Sequence, residues 1–178
     1  VFSVLTGLAV VVGYALLGAT WIILKTEGRL QRHMQGLAWW LGAVTLGFIG
    51  IVSILTPFQD PEYFNRWFNL PGSILSVLMP GAVLAAAWAL FTGLNAGKDA
   101  QPFLAAISIF VLCFIGIGIS FYPNIVPPSL PIVEAAAPDK SLRFALVGTV
   151  VLVPMILAYT AYAYWVFRGK IDPNEGYH

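Results

Sequence analysis

Five long runs of this chain carry no Lys, Arg, Asp or Glu in their interiors, and nothing constrains its fold more. They are Phe2–Leu24, Leu37–Thr56, Gly72–Leu94, Pro102–Phe121 and Leu142–Phe167, with Arg143 at the entry of the fifth. The hydrocarbon core of a bilayer is about 30 Å thick and takes about 20 helical residues to cross. Each run is long enough. The runs are continuously apolar and not alternating, which excludes a transmembrane β-barrel. In lipid no water satisfies the backbone, so α-helix remains. The expected fold is all-α: a polytopic membrane protein of five transmembrane helices in one bundle, a single transmembrane domain over residues 1–178.

Composition agrees. Of 178 residues, 59% are hydrophobic and 10% charged, against about 25% charged in a soluble domain. Nine Lys and Arg against eight Asp and Glu leave a net charge of +1. Nucleic-acid binding needs a clustered basic face, and none is present. The one cysteine, Cys113, lies in an apolar run. It excludes an internal disulfide and a multi-cysteine metal site, and reads as a small buried hydrophobe. The chain begins at Val1 and turns apolar at once. That run exceeds a signal-peptide core of about 7–15 residues and lacks a basic flank. It is a span, and the chain is expected to be the C-terminal part of a longer protein.

The basic residues orient the spans. Lys25, Arg29, Arg32, Lys98, Arg168 and Lys170 fall on one side, and Arg66, Lys140 and Arg143 on the other. The positive-inside rule then predicts the Lys25–Arg32 segment, Lys98 and the C-terminus in the cytoplasm, and the N-terminus outside.

The connections differ in kind. Lys25–Gly36 is short and polar, and its helix is able to run on past the membrane. Leu94–Gln101 is a plain turn. In Asp60–Leu70, Asp60 and Pro61 suit an N-cap and first helical residue. Tyr63, Phe64, Trp67 and Phe68 share one face, which predicts a short interfacial helix, an aromatic anchor or alternatively a lid. Tyr122–Lys140 holds Pro123, Pro127, Pro128, Pro131 and Pro138, so it is expected to be extended and stiff, not helical. Ala43 and Gly47, Gly81 and Ala85, and Ala82 and Ala86 are small pairs four apart, suited to close helix contact. Pro80 and Pro154 lie inside spans and predict bends there.

The search for chemistry returns little. The two histidines are His33, at a span edge, and His178, the last residue. Haem needs axial His, Met, Cys or Tyr, and within spans the sulfur candidates are Met79, Met155 and Cys113, which read as packing residues. Intramembrane proton relays use buried carboxylates or histidines. The acids Glu27, Asp60, Glu62, Asp99, Glu134, Asp139, Asp172 and Glu175 all sit at span edges or in connections. No nucleophile–base pair, phosphate loop or metal-ligand spacing is found. No catalytic, cofactor-binding or metal residue is expected, and the chain reads as a scaffold or partner surface.

Two stretches nevertheless carry a resemblance. The first is Gly13-Tyr-Ala-Leu-Leu-Gly-Ala-Thr-Trp-Ile-Ile-Leu-Lys-Thr-Glu-Gly28. The second runs from Tyr122-Pro-Asn-Ile-Val-Pro-Pro-Ser129 through Glu134-Ala-Ala and Ser141-Leu-Arg-Phe144. It ends in Pro154-Met-Ile-Leu-Ala-Tyr-Thr160 and Tyr164-Trp-Val-Phe-Arg-Gly-Lys170. Both resemble subunit II of cytochrome bd-type quinol oxidases. The Ile125–Pro128 stretch and the Tyr164–Lys170 tail are most similar to the cyanide-insensitive branch. Between about Leu37 and Gln101 the likeness lies more in span layout than in motif.

The resemblance implies a haem-free subunit with more spans than these five, of which this chain is similar to the C-terminal half. It implies a haem-bearing partner, subunit I, holding haems of b and d type and the quinol site. It also implies a complex in the bacterial inner membrane that oxidises quinol and reduces dioxygen to water. This chain would itself bind no cofactor, although some members hold a structural quinone. The motif residues then gain readings. Gly13 and Gly18 would permit close helix contact, and Trp21, Lys25 and Glu27, ahead of Gly28, would fix a span end at the headgroups. Pro127, Pro128 and Pro154 belong to the motif strings. Tyr159, Tyr162, Tyr164 and Trp165 would form an aromatic girdle, with Arg168 and Lys170 held by the anionic leaflet. Each is equally readable as ordinary membrane anchoring. Two other classes stay open: a secondary transporter or permease fragment, prompted by the prolines and glycines inside spans, and a membrane scaffolding protein.

Overall fold

The computed structural model describes residues 2–56, 72–126 and 129–170, with the side chains of 72–77 left aside. In chain order the elements are α1 (Phe2–Lys25), α2 (Gly28–Leu55), α3 (Gly72–Asn95), α4 (Gln101–Phe121), β1 (Asn124–Val126), β2 (Leu130–Pro131), α5 (Ile132–Ala135) and α6 (Asp139–Val166). Five of these helices are long and apolar enough to cross a membrane, as the run lengths predict. The expected interfacial helix at Asp60–Leu70, and Pro127 and Pro128, lie outside the described residues.

The described residues divide into two compact units, one within 2–120 and one within 121–170. The first holds four helices around one core: Leu16, Ala19 and Ile23 of α1, Ala38 of α2, Ala87, Leu90 and Leu94 of α3, and Ala105, Ala106 and Ile109 of α4. The spacings within each helix are those of one face. Both faces of these helices are apolar, so apolarity alone does not select the inward one. Small residues let backbones approach in lipid. Gly13, Ala19, Ala38, Gly42, Ala105 and Ala106 are buried, while Leu8, Val11, Tyr14, Trp40, Leu84 and Phe114 face outward. In α2 the tight packing falls on Ala38, Gly42 and Thr45; the Ala38–Gly42 pair lies five residues, about 140° around the helix, from the expected Ala43–Gly47 pair. A Cβ on Gly42 would lie 3.1 Å from Leu90, and one on Gly47 would meet nothing within 4 Å.

Helix α2 begins at Gly28 and not at Leu37. Its 28 residues rise about 42 Å, well beyond the hydrocarbon core. Residues 28–36 are mostly good helix formers, so the helix continues through the headgroup layer. Between α3 and α4 the turn is a Schellman motif. Gly97 takes the left-handed φ of +65°. The Lys98 N–H donates to the Gly93 carbonyl at 2.9 Å and the Gly97 N–H to Leu94 at 3.2 Å, closing the carbonyls a helix end leaves open.

In the second unit the proline-rich connection departs from the extended, non-helical expectation. β1 and β2 pair antiparallel, Asn124 opposite Pro131 and Val126 opposite Leu130, with an irregularity between. The Ile132 N–H donates to the Pro123 carbonyl at 3.0 Å. A helical turn, α5, follows Pro131, whose φ of −64° leads into it. The reason is local: proline restrains itself and its predecessor, and residues 132–137 contain none. Pro138 stands at the N-cap of α6 and Asp139 in its first turn, where negative charge suits the helix dipole. Helix α6 buries none of its side chains.

Candidate functional site

The motif residues of α1 sit on a helix that packs most closely on α2 and meets α4 through the rings of Phe103 and Phe110. Gly13 is buried, and a Cβ there would stand 2.7 Å from Cζ of Phe110. The ring of Phe110 occupies the place of a side chain at position 13, and Tyr14 stacks obliquely on it with centroids 5.8 Å apart. Two turns on, Trp21 meets Phe103 at 5.0 Å. The ammonium of Lys25 lies over the Trp21 ring, also at 5.0 Å, a contact worth about 0.5–1 kcal/mol where exposed. Gly13, Trp21 and Lys25 thus belong to one α1–α4 seam. Gly18 does not: a Cβ there would meet nothing within 4 Å. Glu27 takes the N-cap position of α2 without a side-chain cap bond. Gly28 has φ +72°, a conformation that disfavours any side chain.

Sequence reading missed the polar fastening at this end of the four helices. Gln31 donates from its side-chain amide to the Ile23 carbonyl at 3.0 Å and to Oδ1 of Asp99 at 2.7 Å. One amide therefore holds the last turn of α1, the first turn of α2 and the α3–α4 turn together. It also places both short connections at the same end of the unit, as alternating spans require. A second amide, Gln101, donates to the Ala89 carbonyl at 2.8 Å and the Thr92 hydroxyl at 3.2 Å. It lies against Gly93, where a Cβ would be 3.0 Å from Cγ of Gln101. Gly97 followed by Lys98 signals the helix C-cap and the turn, but not the amide bonds that fasten it.

In the second unit, Pro154 lies within α6. Tyr159, Tyr162 and Trp165 are exposed there. Tyr162 and Trp165 are 6.1 Å apart, and the Arg168 guanidinium stands over the Trp165 ring at 5.0 Å. These contacts gather aromatic rings and a cation at the C-terminal end of α6.

Candidate donors for a metal or haem are scattered. Among the described residues no three of His, Cys, Asp and Glu gather. His33 is exposed in the second turn of α2, Cys113 is half-buried and Met155 exposed.

The five apolar helices, the small-residue core and the aromatic–cation ends define a multi-pass α-helical membrane protein. The profile of the family described as cytochrome bd terminal oxidase subunit II matches residues 1–167. The chain belongs to that family. It is similar to the cytochrome bd ubiquinol oxidase subunit 2 of Bacillus subtilis (strain 168), 24% identical over 182 residues, covering 98% of this chain and 52% of the relative. It is also similar to the cytochrome bd-I ubiquinol oxidase subunit 2 of Escherichia coli (strain K12), 27% identical over 207 residues, covering 98% of this chain and 54% of the relative. The chain spans about half the length of the curated relatives it matches.

Proposed function

We propose that this chain serves as part of the haem-free subunit of a terminal oxidase complex that oxidises quinol and reduces dioxygen to water. The observation that carries the reading is the family match over residues 1–167. The donor chemistry supports assigning the haems, of b and d type, to a partner subunit. His33, Cys113, Met79 and Met155 make a poor axial set, and the acids of the described residues lie at helix ends or in connections. In this reading the chain contributes packing surface and membrane anchoring and holds no catalytic residue. It crosses the bacterial inner membrane with its N-terminus outside and its C-terminus in the cytoplasm. That polarity rests on the excess of Lys and Arg on one side.

Co-purification tests the proposal. The full-length subunit, tagged and isolated in mild detergent, is expected to bring down a second membrane subunit and a b- and d-type haem spectrum. Expressed without that subunit it is expected to bind no haem. Stoichiometric haem on the isolated subunit would overturn the reading.

A further inference from the structure

The outward face of α2 changes character along its length. Arg29, Arg32 and His33 are exposed and recur at i, i+3 and i+4, so they share one side. Neither arginine makes an ion pair among the described residues. Gln31, on the opposite side, is turned inward to Asp99 and Ile23. Continuing down the cationic side, the helix presents Gly36, Trp40 and Gly47. A Cβ at either glycine would have no atom within 4 Å, and Trp40 is 67% exposed. Among the described residues, the face is therefore two guanidiniums without a counter-charge above an open apolar furrow bordered by an indole.

Depth makes the pattern specific. Arg32 and Arg29 stand five and eight residues before Leu37, where the apolar run begins. At about 1.5 Å per residue this is about 7–12 Å above the hydrocarbon edge, within reach of lipid phosphates for a long side chain. Guanidinium binds phosphate oxygens through paired charge-assisted hydrogen bonds. A helix from another protein could fill the furrow, but it would leave both charges without an anion unless it carried acids at that height.

We propose that this face of α2 binds an anionic phospholipid, its phosphate held by Arg29 and Arg32 and one acyl chain lying along the Gly36–Gly47 furrow beside Trp40. The experiment uses the full-length protein, purified from its own membrane with the subunits that accompany it, delipidated and titrated with dioleoylphosphatidylglycerol by native mass spectrometry. Dioleoylphosphatidylcholine is the comparison lipid. An Arg29→Gln/Arg32→Gln variant is expected to bind phosphatidylglycerol about tenfold more weakly, the scale of losing charge-assisted bonds. Arg29→Lys/Arg32→Lys should retain most of the binding, and Arg143→Gln should change nothing. A photoreactive residue at Gly47, in a chain whose charges are intact, should attach to lipid. Unchanged affinity in the double glutamine variant would overturn the proposal, and so would capture of a polypeptide at position 47.

Discussion

The side-chain amide of Gln31 and the carboxylate of Asp99, 68 residues apart in sequence, meet at 2.7 Å. The same amide reaches the last turn of α1 through Ile23. A charged acceptor strengthens such a bond, and partial burial limits competition from water.

Removing that amide should loosen three helix ends together. Gln31→Ala is expected to lower the stability of the detergent-solubilised protein by about 1–2 kcal/mol. In a double-mutant cycle with Asp99→Ala the two losses should not add. Full additivity in thermal melts would show that the bond carries no coupling energy.

At Gly13 the argument is one of volume. An alanine Cβ would press on the Phe110 ring at 2.7 Å, and overpacking of this kind costs about 1–3 kcal/mol. Gly13→Ala should therefore melt earlier than the parent, and Gly13→Ala/Phe110→Leu should recover part of the loss. Gly18→Ala, with open space around its Cβ, should be close to neutral; a larger loss there than at Gly13 contradicts the α1–α4 seam.

Two glycines are required for backbone conformation and not for space. Gly28 and Gly97 have φ of +72° and +65°, and nothing lies within 4 Å of a Cβ on either. Alanine at each should cost about 1 kcal/mol through the left-handed backbone alone. Asparagine should cost less. Equal effects of Ala and Asn at both positions would rule out a conformational cause.

Threonines inside these helices mostly donate back to a carbonyl one turn earlier: Thr20 to Leu16 at 2.9 Å, Thr92 to Trp88 at 2.8 Å, Thr149 to Ala145 at 2.8 Å. Thr45 does not. It is 5% exposed, and its hydroxyl has no hydrogen-bond partner among the described residues. Thr45→Val keeps the shape and removes an unsatisfied group, so it should be neutral or stabilising by up to about 1 kcal/mol. Thr20→Val should destabilise by about the same amount. If Thr45→Val proves the worse of the two, the hydroxyl has a partner.

The spans were legible because membrane helices announce themselves by length and apolarity, which are local properties. Their inward faces were harder to read. With both sides of a helix apolar, Ala43–Gly47 and Ala38–Gly42 are equivalent until neighbours are known, and the two pairs lie about 140° apart around the helix. The run-on of helix within Lys25–Gly36 was legible, but its start at Gly28 was not, because polar composition carries no apolar edge to mark it. The Gln31–Asp99 bond and the β1–β2 pairing both depend on residues meeting after folding, and no local pattern reports them. The aromatic–cation pairs Trp21–Lys25 and Trp165–Arg168 were visible, since i, i+4 and i, i+3 spacings are local.

The two side chains that fasten the helix ends of the first unit, Gln31 and Gln101, are both amides. An amide donor neither takes up nor releases a proton across the range in which proteins stay folded. Their grip on Ile23 and Ala89 is thus indifferent to acidification on either face of the membrane. In a membrane whose two faces are held at different pH, these two amide-to-carbonyl bonds would keep the same strength while the gradient rises and collapses around them.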